Sequence, residues 1–331
     1  MTPDTHKPKV SIVTSFWNEP LQWIQFAYES VLRQTFTDLE LIIVCDNPEN
    51  ADGIAYVKGL KDSRVRIITN EMNLGPTRSF NIGIASADGE YIAKFDADDI
   101  CLPERLRKQV EYLDSHPEVS VCATDAHSID SEGRIIRRNK YRRKRDHTLL
   151  AIQNCIAHPS VMFRRKILEL RTPLYDETYK YAQDYELWQF LLMKGYRFHT
   201  LDEALLLYRR SKSQISCARK AEQAEYFKKA HRKFITSWLT DHSIITHEDT
   251  SDLKIMLAKC SQAYPSVTDT EDRKFLTNII YVLYFCLGTD DWGYRFRYLA
   301  DRNFIAFRLR FIYTYRLFFS RKTRRNRAGF L

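Results

Sequence analysis

A chain of 331 residues with 44% hydrophobic and 28% charged side chains can bury a large core and is long for one compact unit. Ten Gly, ten Pro and 13% aromatic residues exclude collagen-like, low-complexity and disordered classes. The net charge of +9 is uneven, because residues 1–216 hold 30 basic against 30 acidic groups and residues 217–331 hold 21 against 12.

The apolar run Val10 to Phe16 is too short and too β-branched for a signal-peptide core. It reads instead as the first of several short strands: Val10–Thr14, Leu39–Val44, Val65–Ile68, Tyr91–Phe95 and Val119–Cys122. Helical spacing lies between them, over Leu21–Leu32, Thr77–Ala87 and Pro103–Leu113, the last opening with Pro at a plausible first position. This βαβα alternation predicts an α/β fold, a mostly parallel sheet with helices on both faces, whose ligands bind beyond the carboxyl ends of the strands. Further on, Gly133 to Arg145 carries eight basic residues and is expected to be an exposed loop or edge. Pro159–Arg164, Asp184–Lys194 and Ala204–Tyr208 read as strand, helix and strand, and from Ala218 long helical stretches dominate. A domain boundary is therefore expected near residue 216, separating a domain of residues 1–216 from a helical, basic and aromatic region, 217–331.

Seven cysteines without any C-x-x-C pair fit a reducing, cytoplasmic compartment better than a disulfide framework. The most apolar stretch, Phe275 to Thr289, is shorter than the roughly 20 residues a membrane span needs and contains Asn278.

The strand ends carry the chemistry. Asn18-Glu19 follows the first strand, Asp46-Asn47 the second, and Asp96-Ala97-Asp98-Asp99 the fourth. Carboxylates crowded into one turn raise one another's pKa unless a cation relieves them, and oxygen ligands suit Mg²⁺ or Mn²⁺ shared with a diphosphate. Asp and Asn are also ordinary turn residues, so it is the coincidence of three strand ends that points to a site.

Five motifs in this order, Val13-Thr-Ser-Phe-Trp-Asn18-Glu19, Ile43-Val-Cys-Asp46, Asn73-Leu-Gly75-Pro-Thr-Arg78-Ser-Phe-Asn81, Phe95-Asp96-Ala-Asp98-Asp99 and Gln183-Asp184-Tyr-Glu-Leu-Trp188, resemble those of family 2 glycosyltransferases with the GT-A fold. The resemblance covers about residues 8 to 216 and implies inverting transfer from a nucleotide-diphosphate sugar, most often a UDP-sugar, with Mn²⁺ or Mg²⁺. It implies that Asp46 accepts a hydrogen bond from the base and that Thr14, Phe16 and Glu19 line the nucleoside site. Arg78 would lie beside the nucleotide, Asp96 would hold the ribose or lie near the metal, Asp98 would ligate the metal, and Asp184 would be the general base. Asp184 is also a reasonable helix N-cap, and the two roles are compatible.

Two departures from the family pattern stand out. Gln183 replaces the Glu that usually precedes the base, which should ease ionisation of Asp184. Ser211 stands where a Tyr-Arg-x-His element would place a histidine, which leaves Arg209 or Arg210 to face the diphosphate. His158 falls in the acceptor half or is a partly buried structural histidine. The acceptor implied is a glycan or a lipid-linked oligosaccharide at the inner face of a bacterial cytoplasmic membrane.

A nucleotidyltransferase would also gather carboxylates beyond a parallel sheet, but no G-x-x-x-x-G-K-[ST] or G-x-G-x-x-G motif occurs. The basic segments admit nucleic-acid binding, yet no recognised module accompanies them and no nucleic-acid partner is expected. Residues 295–327, with eleven basic groups, one acid and many Phe and Tyr, are instead expected to meet an anionic membrane surface or to dock as a helix.

Overall fold

The computed structural model describes residues 7–138, 147–151, 153–211, 214 and 218–287. The segment 139–146, which holds most of the basic cluster, and the basic and aromatic segment 295–327 lie outside the described residues. The chain divides into two compact units: residues 1–145, 156–187 and 194–219, and residues 146–155, 188–193 and 220–331.

The first unit is built on one sheet. Its strands are β1 (Val10–Phe16), β2 (Leu39–Cys45), β3 (Val65–Thr69), β4 (Tyr91–Lys94), β5 (Ile100–Cys101), β6 (Val119–Ile129), β7 (Ile135–Arg137), β8 (Met162–Arg164) and β9 (Arg197–Arg209). Their order is β3-β2-β1-β4-β8-β6-β9-β5, with β7 paired to β6. The pairs β3–β2, β2–β1, β1–β4 and β6–β9 are parallel; β4–β8, β8–β6, β5–β9 and β6–β7 are antiparallel. Strand β1 is the point where the order reverses, so the crevice between the exits of β1 and β4 is where such a sheet binds ligands.

Three helices follow the parallel strands, α1 (Leu21–Leu32), α2 (Ala51–Gly59) and α3 (Pro76–Ala85), and α4 (Arg105–Ser115) precedes β6. β1 and β2 are buried along almost their whole length because both faces are covered, and Ile12, Phe16, Leu41 and Ile43 meet Ile24, Tyr28 and Val31 of α1 in the main core. The sheet also fixes Gly83 of α3. A Cβ there would lie 2.4 Å from a methyl of Val13 and 3.2 Å from one of Val44, so helix and sheet approach as closely as they do only because that side chain is absent.

Arg105 opens α4 fully buried and without a carboxylate partner. Its guanidinium donates to the Lys94 carbonyl at 2.8 Å and to Gln109 Oε1 at 3.1 Å, and Gln109 donates to the carbonyls of Cys122 and Ser160 at 2.7 and 3.0 Å. The buried charge is thus satisfied by peptide oxygens, and the end of β4 is tied to β6 through α4.

The expected elements lie where the apolar periodicity puts them, with three differences. Helix α2 has no expected counterpart, because its Gly- and Asp-containing sequence hides a short amphipathic stretch capped by Asn50, whose side chain accepts from the Gly53 amide. β6 and β9 run well beyond their apolar centres, since each supplies the other with a long parallel partner. The strand expected over 159–164 is broken at Pro159, which cannot donate to a ladder; a tight turn over His158–Ser160 precedes the short β8.

Helix α5 (Gln183–Met193) contributes its first part to one unit and the remainder to the other. The second unit contains α6 (Lys220–Asp241), α7 (Leu253–Ala263) and α8 (Thr270–Leu287). They share a core of Phe234, Ile235, Trp238, Leu257, Cys260, Leu276 and Ile280. Polar groups at its edge are paired: Asn278 donates to the Thr148 carbonyl at 3.1 Å, and His231 bonds the Ala151 carbonyl. Among the described residues no helix is long and apolar enough to cross a membrane.

Substituting Gly83→Ala should destabilise the protein by about 1–3 kcal/mol, because the overpacking against Val13 outweighs the roughly 1 kcal/mol gained in helix propensity. Urea denaturation of the variant measures the difference, and an unchanged or raised stability would contradict the close-approach reading.

Candidate active site

The site begins at the end of β4. Asp96, Asp98 and Asp99 follow this strand within one turn, and a ligand oxygen from each lies within 4.8 Å of the others. Burial pushes the Asp98 carboxyl up to about 7, with the neighbouring Asp96 and Glu19 charges adding to the rise. Asp99, fully buried, is raised well above its usual range by that burial, with the Asp98 and Asp96 charges adding to the rise. Burial would also raise Asp96, but the Lys94 ammonium beside it reverses the direction and holds that carboxyl below its ordinary value. One oxygen of Asp99 accepts from the Arg209 amide at 2.8 Å while the other is buried without a hydrogen-bond partner. Three crowded carboxylates, one with an orphaned oxygen, form an all-oxygen donor set that fits a hard divalent cation such as Mg²⁺ or Mn²⁺.

The exits of β1 and β2 converge on the same edge because β1 pairs in register with both neighbours: Phe16 lies opposite Cys45, and Val13 opposite Lys94. Asp46 is 3% exposed and closes the turn that opens α3. One of its oxygens accepts from Asn70 and the Leu74 amide, both at 2.8 Å, and the other from the Gly75 amide at 2.9 Å. Gly75 has φ +84°, the left-handed region that favours glycine, so this amide can turn inward. Glu19 accepts from the Trp17 amide at 2.6 Å, and burial, opposed by that bond, raises its carboxyl. Arg78 is exposed on the first turn of α3.

Thr14 and Phe16 lie deeper. Their side chains are 0% and 1% exposed and point into the core, Phe16 edge-on to Tyr28 at 6.4 Å. Strand alternation explains this: residues 14 and 16 share the inward face, and the partly exposed Ser15 between them points the other way.

The second carboxylate group comes from α5. Asp184 lies in its first turn. The Asp184 and Asp96 charges both act on His158 and on Tyr175, so the base candidate and a carboxylate of the β4 turn share one aromatic pair as neighbour. His158 Nε2 lies 2.9 Å from the Tyr175 hydroxyl, and Phe80 meets both rings edge-on. Burial drives the His158 imidazole down to about 4, so the ring is neutral at pH 7. Gln183 has its side-chain carbonyl buried without a hydrogen-bond partner.

Two clamps hold this part of the site. Asn81 of α3 donates to the Tyr175 carbonyl at 2.9 Å and accepts from its amide at 3.0 Å, imitating a strand pair. Arg171 forms a two-point bond with the buried Glu186 of α5, at 2.9 and 2.6 Å, and donates to the Leu174 carbonyl at 2.6 Å. Neither clamp was anticipated, although Asn81 and Glu186 both stand inside the motifs.

Arg209 is 1% exposed, and its guanidinium donates to the Asp98 carbonyl at 2.6 Å and to the Asp130 and Ser131 carbonyls at 2.8 Å while lying 4.9 Å from the Trp23 ring centre. A cation so occupied braces the carboxylate turn. Arg210 is exposed and stacks on Tyr208 at 4.8 Å. Three positions beyond Ser211, Gln214 donates to an Asp98 oxygen at 3.1 Å, a contact that no charged or aromatic signal marked.

A parallel β3-β2-β1-β4 half-sheet with three carboxylates beyond β4 and a fourth on a later helix fits the GT-A fold, and the relatives make the class that of a glycosyltransferase. Residues 11–171 match the family model described as glycosyl transferase family 2. An uncharacterized glycosyltransferase of Methanocaldococcus jannaschii is 36% identical over 214 residues, 63% of this chain and 73% of the relative. The O-antigen biosynthesis glycosyltransferase WbnJ of Escherichia coli is 32% identical over 198 residues, 57% of this chain and 74% of the relative. Among solved structures, S. aureus TarS 1-349 in complex with UDP-GlcNAc superposes with a TM-score of 0.55 at 16% identity, over 87% of this chain and 83% of that one. The mannosyltransferase PcManGT from Pyrobaculum calidifontis, in complex with GDP-Man and Mn2+, gives 0.54 at 17% identity, over 93% and 88%. The chain belongs to glycosyl transferase family 2.

His158 has a consequence for acid stability. Because its folded value is depressed from 6.5 to about 4, its contribution is complete above pH 6.5 and is lost as pH falls toward 4, up to roughly 3 kcal/mol in all. His158→Gln, which can still bond Tyr175, should lose less stability than wild type between pH 7 and pH 4.5 in parallel urea titrations. Equal losses would refute the assignment.

Proposed function

We propose that this enzyme is an inverting glycosyltransferase that moves a sugar from a nucleotide-diphosphate sugar, a UDP-sugar by preference, to a hydroxyl of a glycan or lipid-linked oligosaccharide. The observation that carries this reading is that the charges of Asp184 and of Asp96, a member of the β4 cluster, both act on His158 and Tyr175. TarS with UDP-GlcNAc and PcManGT with GDP-Man and Mn2+ support a nucleotide-sugar donor at this crevice.

Asp184 accepts the proton of the acceptor hydroxyl as its oxygen attacks the anomeric carbon from the face opposite the diphosphate. One displacement inverts the carbon, and no residue becomes covalently attached. Gln183, carrying no charge, leaves Asp184 free of a like-charged neighbour at that position and offers its unpartnered carbonyl to an acceptor hydroxyl. Neutral His158 keeps the wall between the two carboxylate groups uncharged. Asp98, held by Gln214 and braced through its carbonyl by Arg209, is the residue to bind Mn²⁺ or Mg²⁺, with Asp96 near the ribose. A divalent cation bound there supplies neutralisation of the charge that develops on the departing nucleotide diphosphate. Asp46, Glu19 and Arg78 border the nucleotide, and Arg210 faces the open side of the site.

The setting we infer is surface-polysaccharide assembly at the inner face of the cytoplasmic membrane, in keeping with the names of WbnJ and of the Erwinia amylovora amylovoran biosynthesis glycosyltransferase AmsE. The basic and aromatic segment 295–327 is the part proposed to meet anionic lipid.

Asp184→Asn should preserve donor affinity and fold while lowering kcat by about two to four orders of magnitude, the range for losing a general base. Single-turnover assays with a panel of nucleotide sugars decide this, and turnover within a few-fold of wild type removes Asp184 as the base. Asp98→Ala should abolish the Mn²⁺ dependence of UDP binding in calorimetry. Unchanged, metal-sensitive affinity in that variant would remove Asp98 as the ligand.

A further inference from the structure

Lys94 is the last residue of β4, and its side chain is 8% exposed. An ammonium buried to this degree is unfavourable unless its hydrogens are used and its charge is met. All three directions are filled. Its Nζ donates to the Phe95 carbonyl at 3.0 Å, bonds one carboxylate oxygen of Asp96, and lies 4.7 Å from the centre of the Phe80 ring. Phe80 is the ring that also packs against His158 and Tyr175, so the lysine is seated in the wall of the site and not on its rim.

The position matters because of what surrounds it. Asp96, Asp98 and Asp99 place three carboxylates within 4.8 Å, with Glu19 close by. The other cations near them, Arg105 and Arg209, direct their guanidinium groups at backbone carbonyls. Among the described residues, Lys94 is therefore the cation whose side chain bonds directly to a carboxylate of the cluster. That bond uses one oxygen of Asp96 and leaves the second outside the contact. Its fixed charge also reduces the pull of the cluster on a second cation, so a metal ion gains most when a diphosphate arrives with it.

We propose that Lys94 is a positioning residue and resident counter-ion of the donor site, which holds Asp96 and makes binding of a divalent cation depend on the nucleotide diphosphate. This rests on the donor-site reading above. The coupling is reciprocal, so the same lysine strengthens the dependence of nucleotide binding on metal.

The test titrates Mn²⁺ against the full-length protein, with and without saturating UDP, using the electron paramagnetic resonance signal of free Mn²⁺. Wild type should bind Mn²⁺ weakly alone and much more tightly with UDP. Lys94→Met should bind Mn²⁺ alone about tenfold more tightly than wild type, since one nearby positive charge is removed, and the enhancement by UDP should shrink accordingly. Lys94→Arg should restore both values to within a few-fold of wild type. A lysine with a purely structural role predicts the opposite sign, a loss of Mn²⁺ affinity on removal. If Lys94→Met does not fold, Lys94→Gln, which keeps a donor for the Phe95 carbonyl, replaces it in the same comparison. Equal or weaker binding of Mn²⁺ alone by the folded neutral variant overturns the proposal while leaving the donor site standing. Absence of Mn²⁺ binding by every variant, with and without UDP, overturns the metal assignment and this proposal together.

Discussion

Like-charge crowding at the end of β4 is the constraint around which this site is arranged. Three aspartates in one turn repel, and a sheet edge by itself has no means of holding them together. The fold answers with cations placed at different depths. Lys94 bonds a carboxylate directly, Arg105 holds the carbonyl of Lys94 from below, and Arg209 holds the carbonyl of Asp98 from β9. Two of the three thus act on backbone, so they stiffen the turn without consuming the oxygens that a ligand needs. The residual imbalance is carried by Asp98 and Asp99, whose raised pKa values mark where positive charge is still wanted.

Much of the architecture was legible because its determinants are local. Runs such as Leu39–Cys45 are apolar on both faces only in a covered parallel strand, and Pro and Gly mark the ends of the helices that follow. The motif residues Asp46, Asp96, Asp98 and Asp184 stand out because acids just beyond apolar strands, or opening a helix, are placed there by the chain itself.

The remainder was not legible because it depends on long-range pairing. Lys94 reads in sequence as a polar interruption of the run Tyr91–Phe95, and only the packing of Phe80 against it shows that its charge is enclosed. Thr14 and Phe16 lie within a motif at the exit of β1, but their facing is set by strand parity, which the motif does not state. Arg209 carries the chemistry of a phosphate binder, and its bonds to two carbonyls in the turn after β6 join partners some 80 residues apart in the chain.

The Asn81 clamp has an evolutionary consequence. Its amide grips the peptide group of Tyr175, and Arg171 grips the peptide oxygen of Leu174, so the path of this stretch leading into α5 is held by backbone contacts as well as by the packing of the Tyr175 ring on Phe80 and His158. Contacts to backbone survive a change of side chain, whereas the packing of the buried ring does not. Sequence drift along this stretch is therefore open at its exposed positions, such as Thr178 and Lys180, and closed at Tyr175.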